Sequence, residues 1–283
     1  MEAAMARLGF ATLGMIALGV GAAAWGARPA TRDAAPAAPK RVVSFNLCAD
    51  QLIVALADRA QIAGLTHNAT DPWMSAAAER ARGLPRLSSS GEQILAIQPD
   101  LVVGMPAGPA AALIARQGYP TLDFRFANSV DELYLSIRET AAALGHPARG
   151  AALIARMQAD LAAIPRTGRG RVAAFYQRRG FMTGTGTLVD DLMRRAGLVN
   201  LAAKLGKPPL AQVSIEEMVA AKPDFLIVDS ASDTVTDQGT EMLHHPALRN
   251  IPRIRLPEAW TVCAGPAYVQ AAQSIAVQIA RHR

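Results

Sequence analysis

Short apolar runs alternate with helical patterns in two separate stretches of the chain. In the first stretch the runs predicted to be strands are 41–45, 62–65, 101–104 and 121–124. In the second they are 172–176, 225–228 and 253–256, followed by a final helix near 267–282. Strands that alternate with helices in this way predict parallel sheets with helices on both faces.

A helix-rich segment separates the two stretches. Apolar residues recur at helical spacing at Leu133, Ile137, Ala141 and Leu144. Gly145-His146 then breaks the pattern, and Pro147 opens a new helix at its first position. Its predicted apolar face is Leu153, Met157, Leu161 and Ile164. We therefore predict an N-terminal lobe at 40–146, a connecting helix at 147–165 and a C-terminal lobe at 166–283.

One phrase occurs in both lobes. SGEQILAIQPDLVV begins at Ser90 and SIEEMVAAKPDFLIV begins at Ser214, so Ser, Glu, Pro and Asp repeat at identical spacing 124 positions apart. Each Ser is a good helix N-cap, and Gln93 or Glu217 three residues later completes a capping box. Each Pro ends the helix and each Asp enters a strand.

This local pattern does not require Glu92 or Glu216, which stand one position before the capping-box residue. They favour the helix dipole by a few tenths to about 1 kcal/mol. We expect both carboxylates to point outward, where they are free to meet another molecule.

Composition is that of a globular protein: 283 residues, 51% apolar and 18% charged, with a formal charge of +6. The arginines are scattered, without a basic stripe or basic–aromatic interleaving, so we expect no nucleic-acid partner. We expect a monomer.

The N-terminus has the layout of an export signal. Arg7 precedes the apolar run LGFATLGMIALGVGAAAW, and small residues at 22–24 suit cleavage. We predict a signal peptide at 1–24 and a Pro/Ala-rich linker at 25–39, with a retained membrane anchor as the alternative. In both cases the folded part lies outside the cytoplasmic membrane, in the periplasm.

Candidate ligand contacts follow the carboxyl ends of the predicted strands, where ligands of parallel α/β sheets bind. The ones we single out are Leu47, Cys48, Trp73, Met105, Arg125, Gln177, Arg178, Trp260 and Cys263. His67, Phe126, Arg179 and Ser230 have similar positions. The alternatives are that Leu47, Met105 and Phe126 fill the lobe cores and that the arginines are solvated. If the arginines converge, they indicate a ligand with negative charge.

Cys48 and Cys263 are the two cysteines of the chain. We favour packed free thiols. The alternatives are a disulfide that joins the lobes, which an exported protein permits, and thiolates that face a metal chelate.

Sequence signals of an enzyme or a metal site are weak. TGTGTLVDD lacks the spacing of a dinucleotide-binding loop, and we find no P-loop, no nucleophile elbow and no helical His pair. We therefore expect no catalytic residues, no cofactor and no resident metal.

Over 40–283 the chain resembles the periplasmic substrate-binding proteins of ABC importers for cobalamin and ferric siderophores. The matching stretches are RVVSFNLCADQLIVALAD, SGEQILAIQPDLVVG, TGTGTLVDDLMRRAGLVNLA, VSIEEMVAAKPDFLIVDS and WTVCAGP. The resemblance implies two Rossmann-like lobes with parallel-rich sheets, one long connecting α-helix and a ligand cleft between the lobes. It implies that Glu92 and Glu216 dock on an ABC permease dimer, and it places Arg86 at a ligand-lining position.

The chain departs from the cobalamin binders of this family at several aromatic positions. These read Arg86, Met105 and Leu210 here, in a chain that is 5% aromatic. We therefore expect the ligand to be a small-molecule metal chelate, either a ferric siderophore or a cobalamin-type corrinoid. The alternatives are a haem or divalent-metal receptor of the same fold, and a Rossmann-like enzyme.

Overall fold

The structure is a computed structural model, and it describes residues 37–87, 91–104 and 109–282. The predicted signal peptide, most of the predicted linker, Ser90 and Met105 lie outside these residues. None of the helices within the described ranges combines the length and apolar character needed to cross a bilayer.

Two sheets form the framework. The strands are β1 Val42–Ser44, β2 Ile62–Gly64, β3 Leu101–Val103, β4 Thr121–Leu122, β5 Val172–Tyr176, β6 Phe181–Thr183, β7 Val199–Asn200, β8 Leu210–Gln212, β9 Phe225–Asp229 and β10 Arg253–Leu256. The helices are α1 Leu47–Leu56, α2 Ala78–Ala81, α3 Gly91–Ile97, α4 Pro109–Gln117, α5 Val130–Ala143, α6 Pro147–Ala162, α7 Leu188–Arg195, α8 Leu201–Lys204, α9 Ile215–Ala221, α10 Gln238–Glu241 and α11 Tyr268–Arg281.

The N-terminal sheet is parallel throughout, in the order β2-β1-β3-β4. The C-terminal sheet has the order β10-β9-β5-β6-β8, with β7 beside the start of β5. Its β10, β9, β5 and β7 are parallel, whereas β6 pairs antiparallel with both β5 and β8. We call each sheet with its covering helices a lobe. The predicted α/β class with two parallel-rich lobes is confirmed.

The helix α6 connects the lobes along the chain, and it begins at Pro147 as predicted. It packs against α5, whose predicted apolar residues are all buried. Gly150 permits this close approach, because a Cβ there would lie 2.5 Å from the Cβ of Ala141. The buried face of α6 is Gly150, Ile154, Met157 and Leu161, and the predicted Leu153 and Ile164 are half-buried and pack against the same core.

The repeated phrase folds into the same unit in each lobe. Gln98 directly follows α3 and Lys222 directly follows α9, and both residues adopt the left-handed conformation, with φ of 49° and 48°. The Pro and Asp follow at once in both copies.

The two Asp residues fasten neighbouring strands. The Asp100 carboxylate accepts the backbone N–H of Arg41 at 2.7 Å and that of Lys40 at 2.8 Å, just before β1. The Asp224 carboxylate accepts the N–H of Val172 at 2.7 Å, at the start of β5. These charge-assisted hydrogen bonds join the residue that enters one strand to the start of the neighbouring strand, which accounts for the Asp in both copies.

The N-cap of the second copy is as predicted, because the Ser214 hydroxyl accepts the N–H of Glu217 at 3.2 Å. The reciprocal half of the predicted capping box is replaced, since the Glu217 carboxylate pairs with Lys207 at 2.8 Å. The carboxylate of Glu216 interacts instead with its own backbone N–H and the Ser214 hydroxyl, which lowers the pKa of Glu216.

Candidate functional site: a cleft between the two lobes

Loops from both lobes meet at the carboxyl ends of the parallel strands. The interlobe chamber has a volume of about 280 Å³ and takes residues from both lobes. Its walls are Cys48, Phe124, Phe126, Ala127 and Asn128 from the N-terminal lobe, and Phe175, Gln177, Thr183, Thr187, Leu188, Val189, Glu258, Thr261, Val262 and Ala264 from the C-terminal lobe.

A second chamber of about 430 Å³, the C-terminal chamber, adjoins the first and shares Phe175, Gln177, Glu258 and Thr261 with it. Its other lining residues are Arg178, Phe181, Leu210, Asp229, Ala231, Ser232, Thr236, Thr240 and Leu243. Together the two chambers form a cleft with aromatic and aliphatic walls and a few polar groups, which is typical of small-molecule sites.

Local sequence explains how α1 reaches the cleft. Asn46 follows β1 and caps α1 by accepting the N–H groups of Cys48 and Ala49 at 2.8 and 3.2 Å. Gly104 follows the adjacent strand with φ of 69°, and a Cβ there would lie 2.8 Å from the Asn46 Cβ. The small residue at 104 therefore leaves room for the cap that fixes Cys48 at the chamber wall.

A disulfide joins Cys48 to Cys263, with 5.1 Å between their Cα atoms. Our preference for packed free thiols was therefore wrong. The two strand ends bring the residues within the Cα separation that a disulfide requires. Both side chains are almost fully buried, and the pair ties α1 of the N-terminal lobe to the loop before α11. Neither sulfur is a free thiolate that could ligate a metal.

The loop that carries Trp73 is held by a buried carboxylate. Asp50 on α1 is fully buried and accepts both the N–H and the hydroxyl of Thr66, at 3.2 and 2.5 Å. Burial raises the pKa of Asp50 to about 6, although the hydroxyls of Ser44 and Thr66 oppose the shift. Trp73 then projects into solvent, 62% exposed, from a turn in which its N–H reaches the Asp71 carboxylate at 2.9 Å.

Two carboxyl groups meet on the C-terminal wall. Glu258 and Asp229 both line the C-terminal chamber. Burial raises the pKa of Glu258, and its hydrogen bond to Asp229 and the charge of that residue raise it further. Arg178 partly offsets the shift and is itself ion-paired with Asp237. Glu258 therefore keeps its proton to a higher pH than an isolated glutamate would.

Three of the predicted ligand contacts line the two chambers: Cys48, Gln177 and Arg178. Cys263 lines neither chamber and is buried as the disulfide partner of Cys48. Phe126 is 69% exposed at the interlobe chamber, so it does not fill a core. Leu47 is half-buried at the first position of α1.

The other predicted contacts are placed elsewhere or at the rim. Trp260 is half-buried, packs on the main core and lines a separate groove with Pro72 and Arg82. Arg86 is exposed near the Thr70 hydroxyl at 3.5 Å, and Arg125 is exposed. Arg178 is thus the one predicted arginine among the residues that line the two chambers, and the structure does not gather the arginines around them.

Several wall residues were missed from the sequence. Asp229 and Glu258 stand at or just after the ends of β9 and β10, so the strand-end rule could have found them. Phe175 and Phe181 lie within strands, and only the antiparallel β5–β6 pairing brings both to the wall. The sequence singled out Leu210 only as a position where cobalamin binders have an aromatic residue. In the structure it is exposed and lines the C-terminal chamber.

Two parallel-rich lobes, one connecting helix and a cleft at the strand ends define the class of two-lobed α/β binding proteins. The periplasmic binding protein family model matches residues 42–255. The chain belongs to this family.

Individual relatives cover most of the chain. The vitamin B12-binding protein of Pectobacterium atrosepticum is 26% identical over 265 residues, which are 87% of this chain and 91% of that protein. The periplasmic heme-binding protein RhuT of Roseiflexus sp. RS-1 is 29% identical, with a TM-score of 0.68, over 85% of this chain and 97% of that one. An ABC-type Fe³⁺-hydroxamate transport protein of Saccharomonospora viridis is 21% identical, with a TM-score of 0.64, over 85% of this chain and 93% of that one.

Proposed function

We propose that this chain is the substrate-binding protein of an ABC importer and that it captures a metal chelate in the cleft between its lobes. The observation that carries the proposal is the interlobe chamber, which takes walls from both lobes of a chain in the periplasmic binding protein family. The named relatives, which bind vitamin B12 or heme or transport a ferric hydroxamate, support this class of ligand.

The chamber walls favour a flat macrocycle within that class. Phe124 and Phe126 from one lobe and Phe175 from the other present aromatic surface to the same space. Glu258 is the one charged residue among those that line the interlobe chamber. An apolar, aromatic slot suits the faces of a haem or a corrinoid better than the polar surface of a hydroxamate. Haem, which was an alternative from the sequence, is therefore proposed together with the corrinoids.

Two other functions have less support. No group of three or more His, Cys, Asp or Glu side chains within the described residues is arranged to hold a metal ion, which speaks against a divalent-metal receptor. The enzyme alternative has less support because the chain belongs to the periplasmic binding protein family.

In this proposal the protein works in the periplasm and hands its cargo to a permease dimer. Glu92 and Glu216, one exposed carboxylate on each lobe, are the proposed docking residues. A pair of carboxylates on one chain can fix the register of docking on a two-fold symmetric partner. Export depends on the 1–24 segment, with cleavage or retention both compatible with this function.

Uptake in the cells that carry the protein tests the whole proposal. Deletion of the gene should abolish high-affinity uptake of one of labelled haemin, labelled cyanocobalamin or ⁵⁵Fe-loaded siderophore, and the wild-type gene should restore it. Glu92→Ala with Glu216→Ala should fail to restore uptake although the secreted protein is folded. Unchanged uptake of all three cargoes after deletion would contradict the proposal.

A further inference from the structure

The helices α3 and α9 show the same exposure at matched positions, which are 124 residues apart. Ile94 and Met218 are buried at corresponding sites, and Glu92 and Glu216 are exposed. The exposed positions include one large apolar residue in each helix: Leu95 is 40% exposed and Val219 is 38% exposed. Exposed Ala96 and Ala220 follow.

The requirements of folding do not account for Leu95 and Val219. Ser214 caps α9, left-handed residues and strand-fastening Asp residues follow both helices, and Ile94 or Met218 provides the contact with the core. A single exposed apolar side chain needs no explanation. Here such a side chain is present at the same place in both lobes.

Each apolar residue lies on the same helix face as the carboxylate. Leu95 follows Glu92 by three residues and Val219 follows Glu216 by three, a spacing that puts side chains side by side on a helix. Each lobe therefore presents one compact patch made of a carboxylate, a branched apolar side chain and an exposed alanine. We call these the Glu92 patch and the Glu216 patch.

We infer that Leu95 and Val219 are apolar contacts of the docking surface and that they seat in two equivalent hollows of the importer's membrane permease. The inference rests on the proposed function, and it adds two residues to the docking carboxylates. A partner that receives two like patches from one chain must itself offer two like sites, as a homodimer with two-fold symmetry does.

The chemistry of the patch fits such a contact. An apolar side chain that becomes buried beside an ion pair excludes water from it and strengthens the attraction between the carboxylate and an arginine or lysine of the partner. The Glu216 carboxylate is already oriented by its own backbone N–H and the Ser214 hydroxyl. Less side-chain entropy is then lost when it docks.

Photocrosslinking identifies the partner. A photoreactive amino acid replaces Ala96 or Ala220 in the full-length protein, which is expressed in the cells that carry it. We expect both positions to capture the same multispanning permease subunit, as identified by mass spectrometry. Crosslinks between two copies of this chain, or no crosslink to a membrane protein, would overturn this inference and the docking step of the proposed function together.

A matched pair of variants then tests the apolar residues. Leu95→Ser with Val219→Ser is compared with Leu135→Ser and Val277→Ser, which are also exposed apolar residues, 45% and 52%, one in each lobe. Leu135 also follows a glutamate, Glu132, by three residues, so it is a stringent control. Binding is measured on the captured permease in lipid nanodiscs.

We expect the Leu95 and Val219 double variant to bind the permease about tenfold more weakly or worse, and the control pair to change affinity less than about twofold. Both variants should melt with the wild type and retain cargo binding. If the Leu95 and Val219 variant docks like the control while Glu92→Ala with Glu216→Ala does not, the inference fails and the proposed function stands.

Discussion

Cys48 and Cys263 lie 215 positions apart in the chain and are joined by a disulfide that links the two lobes at the wall of the cleft. The helix α6 is the other covalent connection between the lobes within the described residues. The lobes are thus tied at two places. When the cleft opens, the lobes must move apart while both the disulfide and α6 stay intact. We therefore expect the change in distance between the lobes to be small.

Removal of the disulfide should destabilise the protein and loosen the cleft. Because the bond closes a very long loop, its loss should lower the free energy of unfolding by about 2–5 kcal/mol. Cys48→Ser with Cys263→Ser, followed by guanidinium unfolding, measures this. Hydrogen exchange should rise at the N-terminus of α1 and in the loop at 264–267. Equal stability and exchange with and without the bond would show that the lobes are held by packing alone.

Asp50 should make stability depend on pH. Its folded pKa of about 6 exceeds the ordinary value of 3.8, so the folded state binds the proton more tightly than the unfolded state. Stability should therefore fall as pH rises from about 4 to about 6, by about 3 kcal/mol in all, and then level off. Ser44 and Thr66 face this carboxyl as hydrogen-bond partners, and His67 is the nearby titratable group.

Asp50→Asn should flatten that dependence, as measured by urea unfolding between pH 4 and 7.5. His67→Gln is the control, since it removes the neighbouring imidazole and should leave most of the slope in place. A slope that disappears with His67→Gln and persists with Asp50→Asn would assign the effect to the histidine.

The carboxylates of Asp100 and Asp224 should contribute unequally to the free energy of unfolding. Asp100 accepts two backbone N–H groups and Asp224 accepts one, so Asp100→Ala should cost more than Asp224→Ala. We expect roughly 1–3 and 0.5–1.5 kcal/mol, because each substitution removes hydrogen bonds to a charged acceptor while water can still reach the exposed backbone donors. Chemical denaturation of the two variants gives the comparison, and equal losses would contradict this account of the repeated Asp.

Phe126 should contribute directly to ligand affinity. It is exposed at the interlobe chamber, so Phe126→Ala should weaken binding by roughly tenfold or more without lowering stability. Leu135→Ala is the matched control, an exposed apolar residue on α5 that does not line the two chambers. Isothermal titration calorimetry measures the affinity of both variants. An unchanged affinity in Phe126→Ala would show that the ligand does not contact Phe126 in the interlobe chamber.

The sequence predicted the elements that carry strong local signals. Strands β5 and β10 were predicted with their observed bounds, because continuous apolar runs between turn residues mark buried parallel strands. The antiparallel strands β6 and β8 were missed. They are three residues long, and β8 has exposed side chains, so no periodic pattern marks them.

The site was less predictable because it depends on how the lobes meet. Position after a strand correctly indicated Gln177 and Arg178 at the chambers. It could not show that Cys48 and Cys263 approach each other, since this distance depends on the packing of one lobe against the other. It also could not show that Trp260 packs on the core, away from the two chambers.

Titration of the purified mature protein with haemin, cyanocobalamin and a panel of ferric siderophores, by isothermal calorimetry, tests the central claim most directly. We predict 1:1 binding of one of these chelates with a dissociation constant in the micromolar range or below, and binding weakened by roughly tenfold or more in Phe126→Ala. Absence of binding to every chelate in the panel would contradict the claim that this cleft captures a metal chelate.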